Sequence, residues 1–254
     1  MYIKVILFSA FTLLLSDKYN IQDGIDFYNK RGDDNAYLVP SSDNINKAIS
    51  IFESHLKSKN DKLAGIYLIK SYYYMAQYVS QEKNDKIFYF DLAMTKAKEY
   101  IYKYPESVDM LYWYLASMSN WAKTVGLRSI TKMGGGDEFR DKAVDVIILD
   151  PEYENGGGYF LLGAVYFTAP YIPLISTWPD NTKAIKYFRK AVETGSATPL
   201  QQIYLAKALI KEKLIDEAKL VLKDISKLTP NEDNFIEDAT YIEEANMLLM
   251  DLPK

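Results

Sequence analysis

The sequence predicts an all-α fold, a single right-handed array of antiparallel helical hairpins stacked as a solenoid. Three observations carry this. Similar segments recur at roughly 34 residues, the length of a two-helix unit that must stack on its neighbours to bury its apolar face. Within them, small residues fall where paired helices cross closely and large ones fill the gaps between crossings. No segment makes a convincing strand.

The elements follow in order. In MYIKVILFSAFTLLLSDKYN, Lys4 precedes an uncharged apolar run, Val5 to Leu15, and polarity begins at Ser16 and Asp17. The run is too short to span a bilayer comfortably and fits the apolar region of a secretory signal. Residues 1–16 are therefore expected to be a signal peptide, residues 17–254 the helical repeat domain, and the protein periplasmic. Leu14 and Ser16 meet the small-x-small cleavage rule only loosely; an uncleaved membrane anchor and a buried first helix are the alternatives.

A half-repeat with Ala48 and Phe52 comes next. A long helix from Lys62 to about Val79 then leads to a unit closed by Ala93, Ala97, Tyr100 and Pro105. Tyr112, Leu115 and Ala116 open another, closed by Phe139, Ala143, Val146 and Pro151 after an enlarged turn, TVGLRSITKMGGGD. Tyr159, Leu162, Gly163 and Tyr166 open the following hairpin, and Ala184, Phe188 and Ala191 close it. Tyr166 and Ala184 stand 18 positions apart, against about 9 in an ordinary repeat, so its turn carries an insertion of about nine residues. The most regular unit runs through Leu205, Ala206 and Leu209 to Ala218, Leu222, Ile225 and Pro230, with Thr198 as N-cap and Pro199 at the first helical position. Asn234 to Leu252 reads as a capping helix, acidic on one face. These positions are those of the tetratricopeptide repeat, W-x2-L-G-x2-Y then A-x3-F-x2-A-x4-P, with Tyr159 and Gln202 where tryptophan is usual.

The stretch Leu111–Leu228, above all GGGYFLLGAVYFTAPYIPL followed by KAIKYFRKAVE, resembles the T component (TatT) of tripartite ATP-independent periplasmic (TRAP) transporters. The resemblance rests on a Gly-rich lead into an LG-x2-Y helix, a Pro-containing extended turn and an A-x3-F helix. It implies an exported helical-repeat protein that associates with a periplasmic solute-binding protein, forms a homotrimer and carries a pore or cleft through each protomer. The chain departs from the lipoprotein members in having no cysteine to lipidate; Ser16 stands at that place, after Leu13, Leu14 and Leu15.

Composition excludes several functions. A formal net charge of -4 with dispersed lysines does not favour nucleic acid. With no cysteine and a single histidine, His55, no structural zinc site can be assembled. A carboxylate-only calcium or magnesium site stays open, although no D-x-D-x-D-G loop supports one. The 22 tyrosines suit wet binding surfaces. A Lys-, Asn- and Ile-rich chain is also what AT-rich coding produces, so no function is rested on them. His55 is expected on an exposed helix face, and neighbouring acids such as Asp137 and Glu138 diverge on a helix. No catalytic residue, cofactor or enzymatic activity is expected.

Two charge-free stretches are the candidate site. In Leu111–Ala122, Trp113, Ser117 and Trp121 share one stripe by i, i+4 spacing, with Tyr114 and Met118 beside it. From Gly156 to Pro179 no residue is charged, and Tyr159, Tyr166, Tyr171 and Trp178 supply aromatic area. The enlarged turn, Thr168–Asn181, is expected to pack inward against the Trp113/Trp121 helix and wall a cavity, because its apolar side chains are costly to leave in water. Arg128, Ser117 and the helix end at Gly158 would add polar groups, suiting a hydrophobic or amphipathic ligand with one anionic group. The triplets Gly134–Gly136 and Gly156–Gly158 lack the Lys-Ser/Thr of a phosphate loop and read as flexible turns before helices. The alternative function is a repeat adaptor that takes peptide segments in the cell envelope, with Asn, Lys and Arg along its groove.

Overall fold

The computed structural model describes residues 19–59, 61–126, 135–169 and 179–253. Its helices are α1 (Ile21–Asn29), α2 (Asp43–Ser58), α3 (Lys62–Tyr74), α4 (Lys83–Lys103), α5 (Val108–Val125), α6 (Gly135–Leu149), α7 (Tyr153–Thr168), α8 (Asn181–Thr194), α9 (Pro199–Lys211), α10 (Ile215–Ile225) and α11 (Phe235–Asp251). A π-helical turn, Met75–Val79, extends α3, and a 3-10 turn, Glu232–Asn234, precedes α11. Successive helices pack on one another from α1 to α4 and from α6 to α11, and α1/α3, α7/α9 and α9/α11 also touch. Contact with the next helix and the next but one is the pattern of stacked hairpins, so the chain is the helical-repeat solenoid that its periodicity predicts. It divides into two compact units, one reaching Trp121 and one beginning at Ala122, the division falling inside α5. The expected signal segment, residues 1–16, lies outside the described residues.

In the first unit, Asn20 caps α1 through a reciprocal capping box with Asp23, satisfying N–H groups that the helix start leaves unpaired. Ala48 and Phe52 of α2 and Ala93, Ala97 and Tyr100 of α4 are buried, as their repeat positions require. The α3/α4 crossing is set at Gly65, where a Cβ would lie 2.5 Å from the Tyr100 ring. The Tyr100 hydroxyl donates to the Asp61 carbonyl at 3.2 Å, and burial first, then the charge of Glu99, pushes its pKa up to about 12.

One small departure from an all-helical chain lies between α1 and α2. Strands β1 (Asn35–Ala36) and β2 (Val39–Pro40) pair antiparallel, Asn35 opposite Pro40 and Ala36 opposite Val39. The loop residues Tyr37 and Leu38 both take positive φ, 52° and 63°. A two-residue hairpin turn of this kind favours Asn-Gly, so a bulky Tyr-Leu pair gives no sequence signal for it.

In the second unit the predicted repeat positions again form the core. Phe139, Ala143 and Val146 of α6, Ala184, Phe188 and Ala191 of α8, Leu205, Ala206 and Leu209 of α9, and Ala218, Leu222 and Ile225 of α10 are all buried. Thr198 caps α9 as predicted, in a capping box with Gln201, and Pro199 occupies the first turn. Phe188 packs with Phe160, Phe167 and Tyr204 at centroid distances of 5.8, 6.1 and 5.8 Å. Gly163 makes room for it: a Cβ there would stand 2.7 Å from its ring.

The reading of Gly156–Gly158 as a flexible turn is corrected. All three glycines are buried. Glu154, Asn155 and Gly156 have left-handed backbone angles, and the regular part of α7 starts after them. A Cβ on Gly156 would lie 3.1 Å from the Ala191 backbone, and one on Gly158 would lie 2.8 Å from Ile147. The glycines let α7 approach α8 and α6 closely, and the buried Gln201 side chain donates to the turn's carbonyls, Glu154 O at 3.2 Å and Asn155 O at 2.9 Å. Of the other triplet, Gly135 and Gly136 open α6, and Gly134 lies outside the described residues.

Candidate functional site

The α5 stripe forms as its spacing requires. The Trp113 ring lies edge-on to Tyr73 at 5.2 Å, and the Lys70 ammonium sits 5.0 Å from the indole centroid. Asn120 donates to the Tyr73 hydroxyl at 3.0 Å. Ser117 is fully buried, and its hydroxyl donates to the Trp113 carbonyl one turn back at 2.8 Å, so it is spent on its own helix. The indole Nε1–H groups of Trp113 and Trp121 are buried and meet no acceptor among the described residues. Such groups are uncommon, since an unpaired buried donor costs about 1–3 kcal/mol.

Tyr159 and Tyr166 belong to the second unit and face α8, whose Lys183, Tyr187 and Lys190 share one stripe. Tyr166 stacks on Tyr187 at 5.7 Å with 8° between the planes, Lys183 lies 5.3 Å from the Tyr166 centroid, and Lys190 lies 5.3 Å from that of Tyr159. The enlarged turn leaves and rejoins the hairpin at one place, because the Asp180 N–H donates to the Tyr166 carbonyl at 3.1 Å. Arg128, Tyr171 and Trp178, and with them the cavity expected beneath residues 168–181, lie outside the described residues.

A second lysine–aromatic cluster was missed in the sequence. On α9, Leu200, Tyr204, Lys207 and Lys211 fall on one face, at spacings of four, three and four. The Tyr204 ring is held edge-on by Phe160 at 5.3 Å. Lys123, in the last turn of α5, donates to its hydroxyl at 2.8 Å. The ammonium groups of Lys123 and Lys207 lie 5.3 and 5.0 Å from its centroid. Lys207 also pairs with Glu244 of α11 at 2.5 Å, and Lys211 donates to the Phe167 carbonyl at 3.3 Å. Each of these lysines was visible as a residue, but dispersed lysines read as a solvated surface until their rings are located.

His55 corrects another expectation. It is half-buried rather than exposed, and its Nε2 lies 3.1 Å from Asp61 Oδ2. Asp61 is the N-cap of α3, its other oxygen accepting from the Leu63 N–H at 2.9 Å and the Ala64 N–H at 3.2 Å. Partial burial raises the Asp61 pKa, but the bonds from Ala64, His55 and Leu63 together hold it below its ordinary value of 3.8. A carboxyl lowered in the folded state stabilises fully above that ordinary value, and the contribution fades as pH falls through the lower folded value. Asp61→Ala is expected to cost about 1 kcal/mol through the lost cap. Asp61→Asn keeps an acceptor for the cap, so its deficit against the wild type in urea melts should shrink as the pH is lowered below about 4.

The Tyr72 hydroxyl donates to Glu53 Oε1 at 2.5 Å, and burial followed by the Glu53 charge raises its pKa strongly. Among the described residues no three His, Asp or Glu side chains gather where they could hold a metal ion. Among them, too, no helix is long and apolar enough to cross a membrane.

No family model matches the chain, and no curated protein matches it. A similar solved structure is the crystal structure of a thermophilic TPR (tetratricopeptide repeat) protein from Thermus thermophilus. It superposes with a TM-score of 0.56 at 15% identity, over 82% of this chain and 89% of that one. At that identity the likeness is one of fold, and it agrees with the helical-repeat fold class expected from the sequence.

Proposed function

We propose that the chain is a helical-repeat binding protein that docks on another protein and works by recognition, without catalysis. The observation that carries this reading is the face of α9, where Tyr204 is flanked by the ammonium groups of Lys123 and Lys207. Ring area beside polar donors, half-buried on a rigid helix, is the composition of a recognition surface.

A narrower reading adds the TRAP resemblance. In it the protein is exported, associates with a periplasmic solute-binding protein as a homotrimer, and holds a small hydrophobic or amphipathic ligand. The buried indole N–H groups of Trp113 and Trp121, which meet no acceptor among the described residues, favour the ligand, since an anionic headgroup would supply one. Affinity purification from the native organism tests both readings. Recovery of a solute-binding protein, with a captured chain that lacks residues 1–16, is the expected result. Recovery of other envelope proteins by a segment of their chains would favour the peptide adaptor, and a chain that captures no protein would overturn the proposal. The ligand is tested separately with decanoate, which should change tryptophan fluorescence in the wild type and not in Trp121→Ala.

A further inference from the structure

We infer that Glu53 and Tyr89 form a cation-reading site in the first unit, and that it takes a lysine or arginine side chain from a basic segment of a partner protein. The inference rests on the protein-binding reading above and adds to it the chemistry of one docking segment.

Three successive helices build the site. Glu53 stands on α2, Tyr72 on α3 and Tyr89 on α4. The Tyr72 hydroxyl, on a buried side chain, donates to Glu53 Oε1 at 2.5 Å and fixes the carboxylate in place. One neutral hydroxyl leaves the charge of this half-buried group unpaired, and a carboxylate has room for about four hydrogen bonds. Glu53 Oε2 meets no donor among the described residues, and it is not shut off from solvent. No lysine or arginine among them pairs with Glu53; even Lys57, one turn along α2, stands beyond ion-pair distance. Burial, then the charge of Glu53, raises the Tyr72 pKa; burial, then the charges of Asp85 and Glu53, raises that of Tyr89. Every charge that shifts these two phenols is negative.

The rings add a second selection. The half-buried Tyr89 ring lies 6.3 Å from that of Tyr72 and edge-on to the exposed Phe88 at 5.2 Å. Elsewhere in this unit the rings of Phe27, Tyr104 and Tyr67 are each met by a lysine of the chain, Lys47 at 5.1 Å, Lys62 at 5.8 Å and Lys70 at 5.9 Å. Tyr89 and Phe88 have no such cation among the described residues. A ring face beside an unpaired carboxylate attracts a cation twice, through the ring quadrupole and through the charge. Aromatic area also suits the apolar stem of a lysine or the flat guanidinium of an arginine better than a small hydrated metal ion. Asp85, exposed on α4, stands one helical turn or about 6 Å before Tyr89. Alternate residues of an extended peptide are about 7 Å apart, so basic residues at alternate positions reach both carboxylates.

The probe is fluorescein-labelled hexaarginine, followed by anisotropy at low ionic strength on the full chain. Saturable binding is expected, about tenfold weaker in Glu53→Gln and about fivefold weaker in Tyr89→Leu. Glu53→Gln keeps an acceptor for the Tyr72 hydroxyl, so its circular dichroism should match the wild type. Glu106→Gln removes an exposed carboxylate of the same unit and should bind within about twofold of the wild type. Equal binding by Glu53→Gln and the wild type, or an equal loss in Glu106→Gln and Glu53→Gln, overturns the site. Spermine that displaces the peptide at equal concentration would assign the site to a free polyamine and overturn the docking. Should the native chain recover a partner protein yet ignore hexaarginine, the protein-binding reading stands and this inference falls. Glu53-dependent binding of hexaarginine by a chain that recovers no partner supports the site and removes its assignment to protein docking.

Discussion

Phe188→Ala should lower the stability of the second unit by about 3–5 kcal/mol, the usual cost of emptying a phenylalanine site in a packed core. Phe188 has no exposed surface. It stands at the second-helix position of the repeat, and its ring fills the space left by Gly163 between α7 and α8. Three further rings, Phe160, Phe167 and Tyr204, lean on it. Deleting it removes their common wall, and a backbone as close as that of Gly163 leaves little freedom to collapse. Chemical denaturation of the wild type and variant measures the loss. Leu220→Ala, at a side chain with 63% exposure in α10, should change stability by no more than about 0.5 kcal/mol. A Phe188 variant as stable as the Leu220 variant would contradict the packing described.

Gly156→Val should cost about 2–5 kcal/mol, from two separable causes. The backbone at Gly156 has φ 78°, where a side chain costs roughly 1–2 kcal/mol. The new Cβ would also meet the Ala191 carbonyl oxygen at 3.1 Å and Thr194 at 3.0 Å, and overpacking against backbone adds about 1–3 kcal/mol. Gly195 is the matched comparison, since it faces the same turn from the end of α8. Its φ of -165° is ordinary extended backbone, and a Cβ there would reach Asn155 at 3.4 Å, a normal contact. Gly195→Ala should therefore be neutral within about 0.5 kcal/mol. Equal effects of the two substitutions would mean that α7 does not approach α8 as described.

The helices and their pairing were legible along the chain. Ala184, Phe188 and Ala191 are buried because small and large residues at helical spacing must turn to one face, and that relation lies within a few residues of chain. Caps were legible for the same reason: Thr198 and Gln201 satisfy each other three positions apart. The stripe of Trp113, Ser117 and Trp121 was legible too, but its chemistry was not, since the same spacing allowed Ser117 to bond its own helix.

What each face meets depended on the folded arrangement. His55 became a brace because Asp61 turns back toward it at the start of α3. The Gly156–Gly158 run became a close crossing because Ala191, Val146 and Ile147 arrive from neighbouring helices. The hairpin at Tyr37 and Leu38 formed against its local preference. The Tyr204 face needed Lys123, 81 positions earlier in the chain, to reach its hydroxyl. Periodicity is a property of neighbouring residues and can be read along the chain. A site assembled from several helices depends on where distant residues are brought, and that is settled by the packing of the core between them.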